Sequence, residues 1–230
     1  MEEIVSGVYG IGFTYVSAFL VAGERMTLID TGLPKRAEKL QSAIAEAGRG
    51  KALGDVLVTH HHYDHVGSLP GIAPEGVTVW AHPLDARVIR GEVSPPKPAS
   101  RSGVERAGVK LVERFGPKGT GGRVDRELSD GQEIAIDGGF VVYHTPGHTA
   151  GHVSFLYPSK RLLFVGDAAA NQFGRLGPPF GLYTEDHEDV KRSIAKLAEL
   201  DFDVACFGHG RVLKGEACAK FRALAEKLAR

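Results

Sequence analysis

Short runs of Val, Ile, Leu, Phe and Tyr, cut at close intervals by glycine, dominate the first thirty residues. The cuts at Gly7, Gly10, Gly12 and Gly23 predict three successive hairpin-linked strands, the third over residues 26–29. Pro34 then predicts a helix start, with Ala37, Leu40, Ile44 and Ala47 at helical spacing and Gly48 closing the run. Apolar stretches at 55–58 and 77–80 read as buried strands, and residues 67–72 and 84–89 read as short helices. Further on, 133–136 and 140–143 form a predicted hairpin across Asp137-Gly138-Gly139, and 153–157 and 161–165 form another across Pro158-Ser159-Lys160. Thr184 is the expected N-cap of a helix that turns Val190, Ile194 and Leu197 inward. A last strand over 203–207 precedes a helix carrying Ala217, Phe221, Leu224 and Leu228. Strands and helices, an interruption, then strands and helices again predict an α/β fold with helices outside a pair of sheets.

The interruption spans 91–126, where Pro95, Pro96 and Pro98 lead into mixed helical spacing. It reads as an insert in one domain covering 1–230, a length that buries a proper core. Lys97, Arg101, Arg106, Lys110, Arg114, Lys118 and Arg123 there suit either a basic wall over a site or a solvated face shared with Glu105, Glu113 and Asp125; the solvated face is the simpler reading. Residues 171–183 form a Gly/Pro-rich loop in which Phe173, Phe180 and Tyr183 either line a pocket or seal a core edge.

Lys plus Arg equals Asp plus Glu at 28 each, which leaves no global field for nucleic acid or an anionic membrane and points to a small-molecule substrate. Two cysteines, Cys206 and Cys218, make no disulfide framework and no CxxC site. The start Met1-Glu2-Glu3-Ile4 has neither a basic nor an apolar leader region, and no apolar run reaches the ~18 residues of a membrane span. A cytoplasmic location is expected.

The chemistry concentrates in Thr59-His60-His61-His62-Tyr63-Asp64-His65, where five metal-capable side chains occupy six consecutive positions. An affinity-tag-like polar run is the bland reading, but such runs sit at termini and do not embed an aspartate after an apolar strand. In an extended loop His60, His62 and Asp64 share one side, His61 and Tyr63 the other, and His65 needs a bend that Gly67 permits. Other candidate ligands also follow predicted strands: His148, Asp167 and His209. Asp30-Thr31-Gly32 is equally a site carboxylate or a turn. His82 beside Pro83 reads as a capping or core residue, and His61, His144 and His152 as supporting residues.

His60-x-His62-x-Asp64-His65, Gly147-His148-Thr149, Gly166-Asp167 and Gly208-His209, preceded by Asp30-Thr31-Gly32, resemble the five motifs of the metallo-β-lactamase-fold hydrolase superfamily, in order. The resemblance implies a four-layer αββα sandwich with a site on the rim between the sheets. It also implies one metal on His60, His62 and His148, a second on Asp64, His65 and His209, and Asp167 between them, with Asp30 holding a ligand by hydrogen bonds. Nitrogen and oxygen donors suit two divalent ions, zinc by default, iron or manganese as well. The implied reaction is hydrolysis by a metal-bridging hydroxide, with Asp64 orienting it or passing its proton to the leaving group. The histidine loop is close to the glyoxalase II type, which implies a thioester; small esters and lactones also fall within the family, and Tyr63 or Tyr183 would assist at a carbonyl. Only 21 residues follow His209, against the extra helical region that holds glutathione in glyoxalase II, so glutathione specificity is not expected. The alternative is a mononuclear non-haem iron dioxygenase of the persulfide type, with iron on His60, His148 and Asp167 alone.

Overall fold

Gly7, with φ at 79°, makes the turn that splits the first apolar run, so the N-terminal segment holds four strands, not the three expected. They are β1 (Glu2–Val5), β2 (Val8–Gly12), β3 (Ser17–Ala22) and β4 (Met26–Ile29), all antiparallel. The computed structural model describes residues 1–96 and 122–230; most of the expected 91–126 insert, including all its basic residues but Arg123 and Arg126, lies outside the described residues.

After β4 the chain crosses over through α1 (Ala37–Gly48) and adds β5 (Leu53–Leu57), β6 (Thr78–Ala81) and β7 (Arg126–Glu127) in parallel. This completes a seven-stranded sheet ordered as in the sequence. The helix begins three residues later than Pro34 predicts, because Lys35 sits at φ 61° and holds the chain out of the helical region. Between β5 and β6 lie two one-turn helices, α2 (Tyr63–Val66) and α3 (Leu69–Ile72); α4 (Pro83–Ile89) follows β6.

The second sheet comprises β8 (Glu133–Ile134), β9 (Phe140–His144), β10 (Val153–Tyr157) and β11 (Leu162–Gly166). After a separate hairpin of β12 (Ala170–Gln172) and β13 (Arg175–Gly177), it gains β14 (Val204–Phe207) and β15 (Leu213–Lys214). Asp137, Gly138 and Gly139 all have positive φ in the β8–β9 connection, as the turn chemistry there predicts. Two helices cover this sheet, α5 (His187–Ala198) and α6 (Ala217–Leu228). Asp186, not Thr184, caps α5: its carboxylate accepts from the backbone N–H of Glu188 and Asp189 at 2.8 and 2.9 Å. Thr184 is buried and bonds the Phe180 carbonyl instead.

Strand periodicity sorts the side chains into layers. In β11, Leu162 and Phe164 face the other sheet while Leu163 and Val165 face α5 and α6. In β4 and β5, Ile29 and Leu57 face the second sheet, and Leu28 and Val56 join Leu40, Leu69 and Ile89 of the outer helices. Phe19 meets Phe164 across the inter-sheet core with ring centroids 5.6 Å apart, and truncating either fully buried ring would remove roughly 3–5 kcal/mol. Helix, sheet, sheet, helix is thus the four-layer αββα sandwich expected from the motifs. Among the described residues no helix is long and apolar enough to cross a membrane.

Candidate metal centre

All five motifs leave the carboxyl ends of buried strands, on one rim of the sandwich. Beyond β5 the chain bends at Thr59, is extended at His62 (φ −62°, ψ 144°) and then turns into α2. Alternation therefore governs only His60, His61 and His62. Asp64 and His65 reach the centre because one helical turn sets them side by side, with His65 and Val66 donating to the His62 carbonyl. Gly67 is not the bend that was expected: its backbone is ordinary right-handed helix. Glycine is needed there for space, since a Cβ would stand 2.3 Å from the Pro34 nitrogen and 2.4 Å from the Tyr63 carbonyl oxygen.

From the second half, Gly147 at φ 127° packs the His148 loop against the start of α5, where a Cβ would lie 2.4 Å from the Val190 nitrogen. Asp167 follows Gly166, and His209 follows Gly208, whose missing Cβ leaves room for Asp167 and His65.

The predicted residues converge in groups whose donor atoms lie within 4.8 Å of one another: His60, His62 and His148; Asp64, His65 and His209; and His60, His65 and Asp167, which links them. In the first group the His62 Nδ1 stands 3.1 Å from His60 Nε2 and 3.0 Å from His148 Nε2. Asp167 Oδ2 lies 3.4 Å from His148 Nε2 and 3.1 Å from His209 Nε2, and Oδ1 lies 3.6 Å from His65 Nε2.

Outer hydrogen bonds decide which nitrogen of each ring faces inward. Thr59 Oγ1 donates to Asp30 Oδ2 at 2.7 Å, so toward His60 it can only accept, from Nδ1–H. His65 Nδ1 donates to Asp30 at 2.8 Å and His209 Nδ1 to the Tyr15 carbonyl at 2.9 Å. Thr184 Oγ1, already donating to Phe180, accepts from His148 Nδ1 at a long 3.5 Å. Four rings thus turn Nε2 inward, oriented from behind as metal-binding imidazoles are.

This donor set fits cations. In the first group the Nε2 lone pairs of His60 and His148 meet His62 Nδ1, and one proton on His62 cannot serve both. Burial and neighbouring imidazoles push His60 and His62 well below the usual histidine range, and burial takes His148 down to about 3 against the pull of Asp167. These are neutral bases at pH 7. In the second group burial also pushes His65 down, but Asp167 and Asp30 outweigh it and carry it up to about 10; Asp167 likewise raises His209. Asp167 resists the upward push of burial because His65 and His209 hold its carboxyl far below the usual range, and its Oδ1 is buried without a hydrogen-bond partner. A buried, ionised oxygen lacking a donor among imidazoles is what a cation site leaves behind when only protein is considered.

Two supporting residues escaped the sequence. Asp85, 2% exposed, ties the loops that carry His60, His62 and His148. Its Oδ2 accepts from His61 N and Thr149 Oγ1, both at 2.8 Å, and its Oδ1 from Gly151 N at 2.9 Å. The His61 ring approaches it at 3.1 Å but outside hydrogen-bond geometry. Two residues after a proline, Asp85 resembles any acidic residue of a helix's first turn, and only loop contacts betray it. Tyr15, in a hairpin with no site signal, fixes His209 by its carbonyl and shares a 2.8 Å hydroxyl contact with Tyr63. His152 accepts the Asp167 N–H at 2.8 Å on Nε2 and gives Nδ1–H to Thr145. His144 bonds the Ala150 carbonyl and stacks on His82, which caps α4 as read.

A cavity of about 840 Å³ opens over the centre, reaching His62, Asp64, His148, Asp167 and His209 at its floor. The sequence profile of the metallo-beta-lactamase superfamily matches residues 11–209. Over 93% of its length the chain is 28% identical to the probable metallo-hydrolase YflN of Bacillus subtilis, covering 88% of that protein. Over 80% of its length it is 30% identical to the hydroxyacylglutathione hydrolase GloC of Haemophilus influenzae, covering 79% of that protein. The structure of TTHA1623 in a di-iron-bound form superposes with a TM-score of 0.67 at 25% identity, over 94% of this chain and 96% of the other. Motif order, strand-end geometry and these likenesses agree, and the chain belongs to the metallo-β-lactamase superfamily.

Proposed function

We propose that the protein is a dinuclear metal-dependent hydrolase of a small thioester, ester or lactone. The observation that carries the reading is Asp167, a buried ionised carboxylate facing both histidine groups, with His148 on one side and His65 and His209 on the other. His60, His62 and His148 would hold one divalent ion, Asp64, His65 and His209 a second, and Asp167 would serve both. Nitrogen and oxygen donors suit zinc, with iron and manganese as further candidates; the di-iron TTHA1623 structure keeps iron in view. Two such ions supply Lewis-acid polarisation of the scissile carbonyl and lower the pKa of the attacking water.

The chain's own residues do the rest. Asp64 faces the cavity, suited to orient the water or pass a proton to the leaving group. The hydroxyl pair of Tyr63 and Tyr15 stands beside it, able to donate to an oxygen that gains charge. Asp30 and Asp85 hold the imidazoles in place through Thr59, His65, His61 and Thr149. The likeness to a hydroxyacylglutathione hydrolase supports thioesters within this class.

The test is metal content per chain together with hydrolysis of a thioester, a lactone, a phosphodiester and a β-lactam, each with and without chelator. About two metals per chain and chelator-sensitive turnover of the thioester or lactone are expected. One iron per chain with no hydrolysis and oxygen uptake on a persulfide would overturn the reading in favour of the dioxygenase.

A further inference from the structure

Phe173 occupies the worst place in the molecule for a phenylalanine. It is 96% exposed, and with Gly174 it forms the two-residue turn between β12 and β13, where Gln172 pairs with Arg175. Both turn residues have positive φ, 51° and 77°, the type I′ arrangement in which asparagine, aspartate or glycine is favoured at the first position. A bulky apolar residue there carries left-handed strain and leaves its ring in water. Fold stability explains neither.

Position explains both. Phe173 and Phe180, itself 61% exposed, line the same cavity as His62, His148, Asp167 and His209, together with Leu182 and Tyr183. The hairpin is anchored to the metal-centre loop: Asn171 N donates to the His209 carbonyl at 3.3 Å, Arg211 N donates to the Asn171 carbonyl at 2.9 Å, and Asn171 Nδ2 returns a bond to the Arg211 carbonyl at 2.8 Å. The hairpin that carries Phe173 is thus tied to the segment that carries His209, on the wall of the cavity over the metal centre.

We propose that Phe173 and Phe180 are specificity residues that grip an apolar acyl chain or aryl ring of the substrate, so that the preferred substrates are medium-chain or aryl acyl esters and thioesters. The inference rests on the hydrolase reading for the identity of the scissile bond. An apolar group against this wall leaves water together with two exposed rings, whereas a polar acyl group gains nothing from it.

The metal-loaded protein is assayed on p-nitrophenyl esters from acetyl to decanoyl, and binding of decanoate and of acetate is measured by calorimetry. Each added methylene is expected to raise kcat/KM about two- to fourfold until the wall is filled. Phe173→Asn, which suits the turn, should keep the metal content, hold or raise the melting temperature, and cut the decanoyl-to-acetyl ratio of kcat/KM about tenfold; Phe180→Ser should cut it likewise. The decanoate preference over acetate should fall in parallel. Chelator-sensitive turnover with equal rates for acetyl and decanoyl esters, or a ratio untouched by both substitutions, overturns the proposal while leaving the hydrolase reading intact. Variant-sensitive decanoate binding with no turnover of any ester, thioester or lactone supports the wall and overturns the hydrolase reading instead.

Discussion

Replacing Asp85 with asparagine tests how the first histidine group is held. The side chain keeps its shape, but one carboxylate oxygen becomes an NH₂ group, and every hydrogen-bond partner of that carboxylate is a donor. With nitrogen in the Oδ1 place it faces the Gly151 N–H; with nitrogen in the Oδ2 place it faces both His61 N–H and Thr149 Oγ1–H. The less harmful orientation loses one charge-assisted bond, worth roughly 1.5–3 kcal/mol, and sets two donors face to face at full burial. A loss of about 2–3 kcal/mol is expected, and at roughly 2–4 °C per kcal/mol for a chain of this size the metal-free protein should melt about 4–12 °C lower at pH 7. The pH dependence carries a sign. Burial pushes the Asp85 carboxyl up, but His61 and Thr149 outweigh it and leave it below the usual range. A lowered folded-state pKa stabilises the fold above the ordinary carboxylate pKa, and that contribution fades as pH falls through the folded value. Melts followed by circular dichroism in chelator should show the full gap between wild type and variant at pH 6–8 and a narrowing gap below about pH 4. Equal melting temperatures at pH 7 within about 1 °C, or a gap that widens on acidification, would refute the assignment of Asp85 as a charged tie between the loops.

Two further substitutions probe the donors. His62→Ala and His209→Ala should each lose about one metal per chain and at least a hundredfold in kcat/KM, whereas His61→Ala, which keeps the backbone bond to Asp85, should retain both metals by elemental analysis; equal loss from all three would break the inward and outward division of the loop. Gly208→Ala would place a Cβ 2.2 Å from Asp167 Oδ1 and 2.5 Å from His65 Cε1. The variant should therefore bind the second metal at least tenfold more weakly in a calorimetric titration, with its far-ultraviolet spectrum unchanged; wild-type affinity would show that Asp167 and His65 move freely.

What was legible in the sequence was whatever local pattern enforces. His60, His148, Asp167 and His209 each follow an apolar run, and strand ends on one rim bring them together whatever lies between. The four layers were legible because strands such as Leu162-Leu163-Phe164-Val165 are apolar on both faces, as sheets covered on both sides must be. Features fixed by tertiary contact were not. The motif named Asp64 and His65, but the one-turn helix that sets them side by side is too short to announce itself by periodicity, and Thr184 lost the cap to Asp186 because it is buried beneath the Phe180 carbonyl. Asp85 and Tyr15 carry no motif: one acts through three donors on two distant loops, the other through its backbone carbonyl. The β12–β13 hairpin hid in a Gly/Pro-rich stretch because its turn carries Phe173 where a turn-forming residue would have marked it.

Each histidine group draws on both sheets. His60 and His62 come from the first half of the chain and meet His148 from the second; Asp64 and His65 meet His209 in the same way. An ion in either group is therefore a non-covalent cross-link between the two halves of the sandwich, added to the apolar layer that glues them. Occupancy and cohesion become one quantity: at free metal a hundredfold above its Kd, each independent site would strengthen the fold by about 2.7 kcal/mol. Metal supply would then set how firmly the two halves hold together, as well as how fast the enzyme turns over.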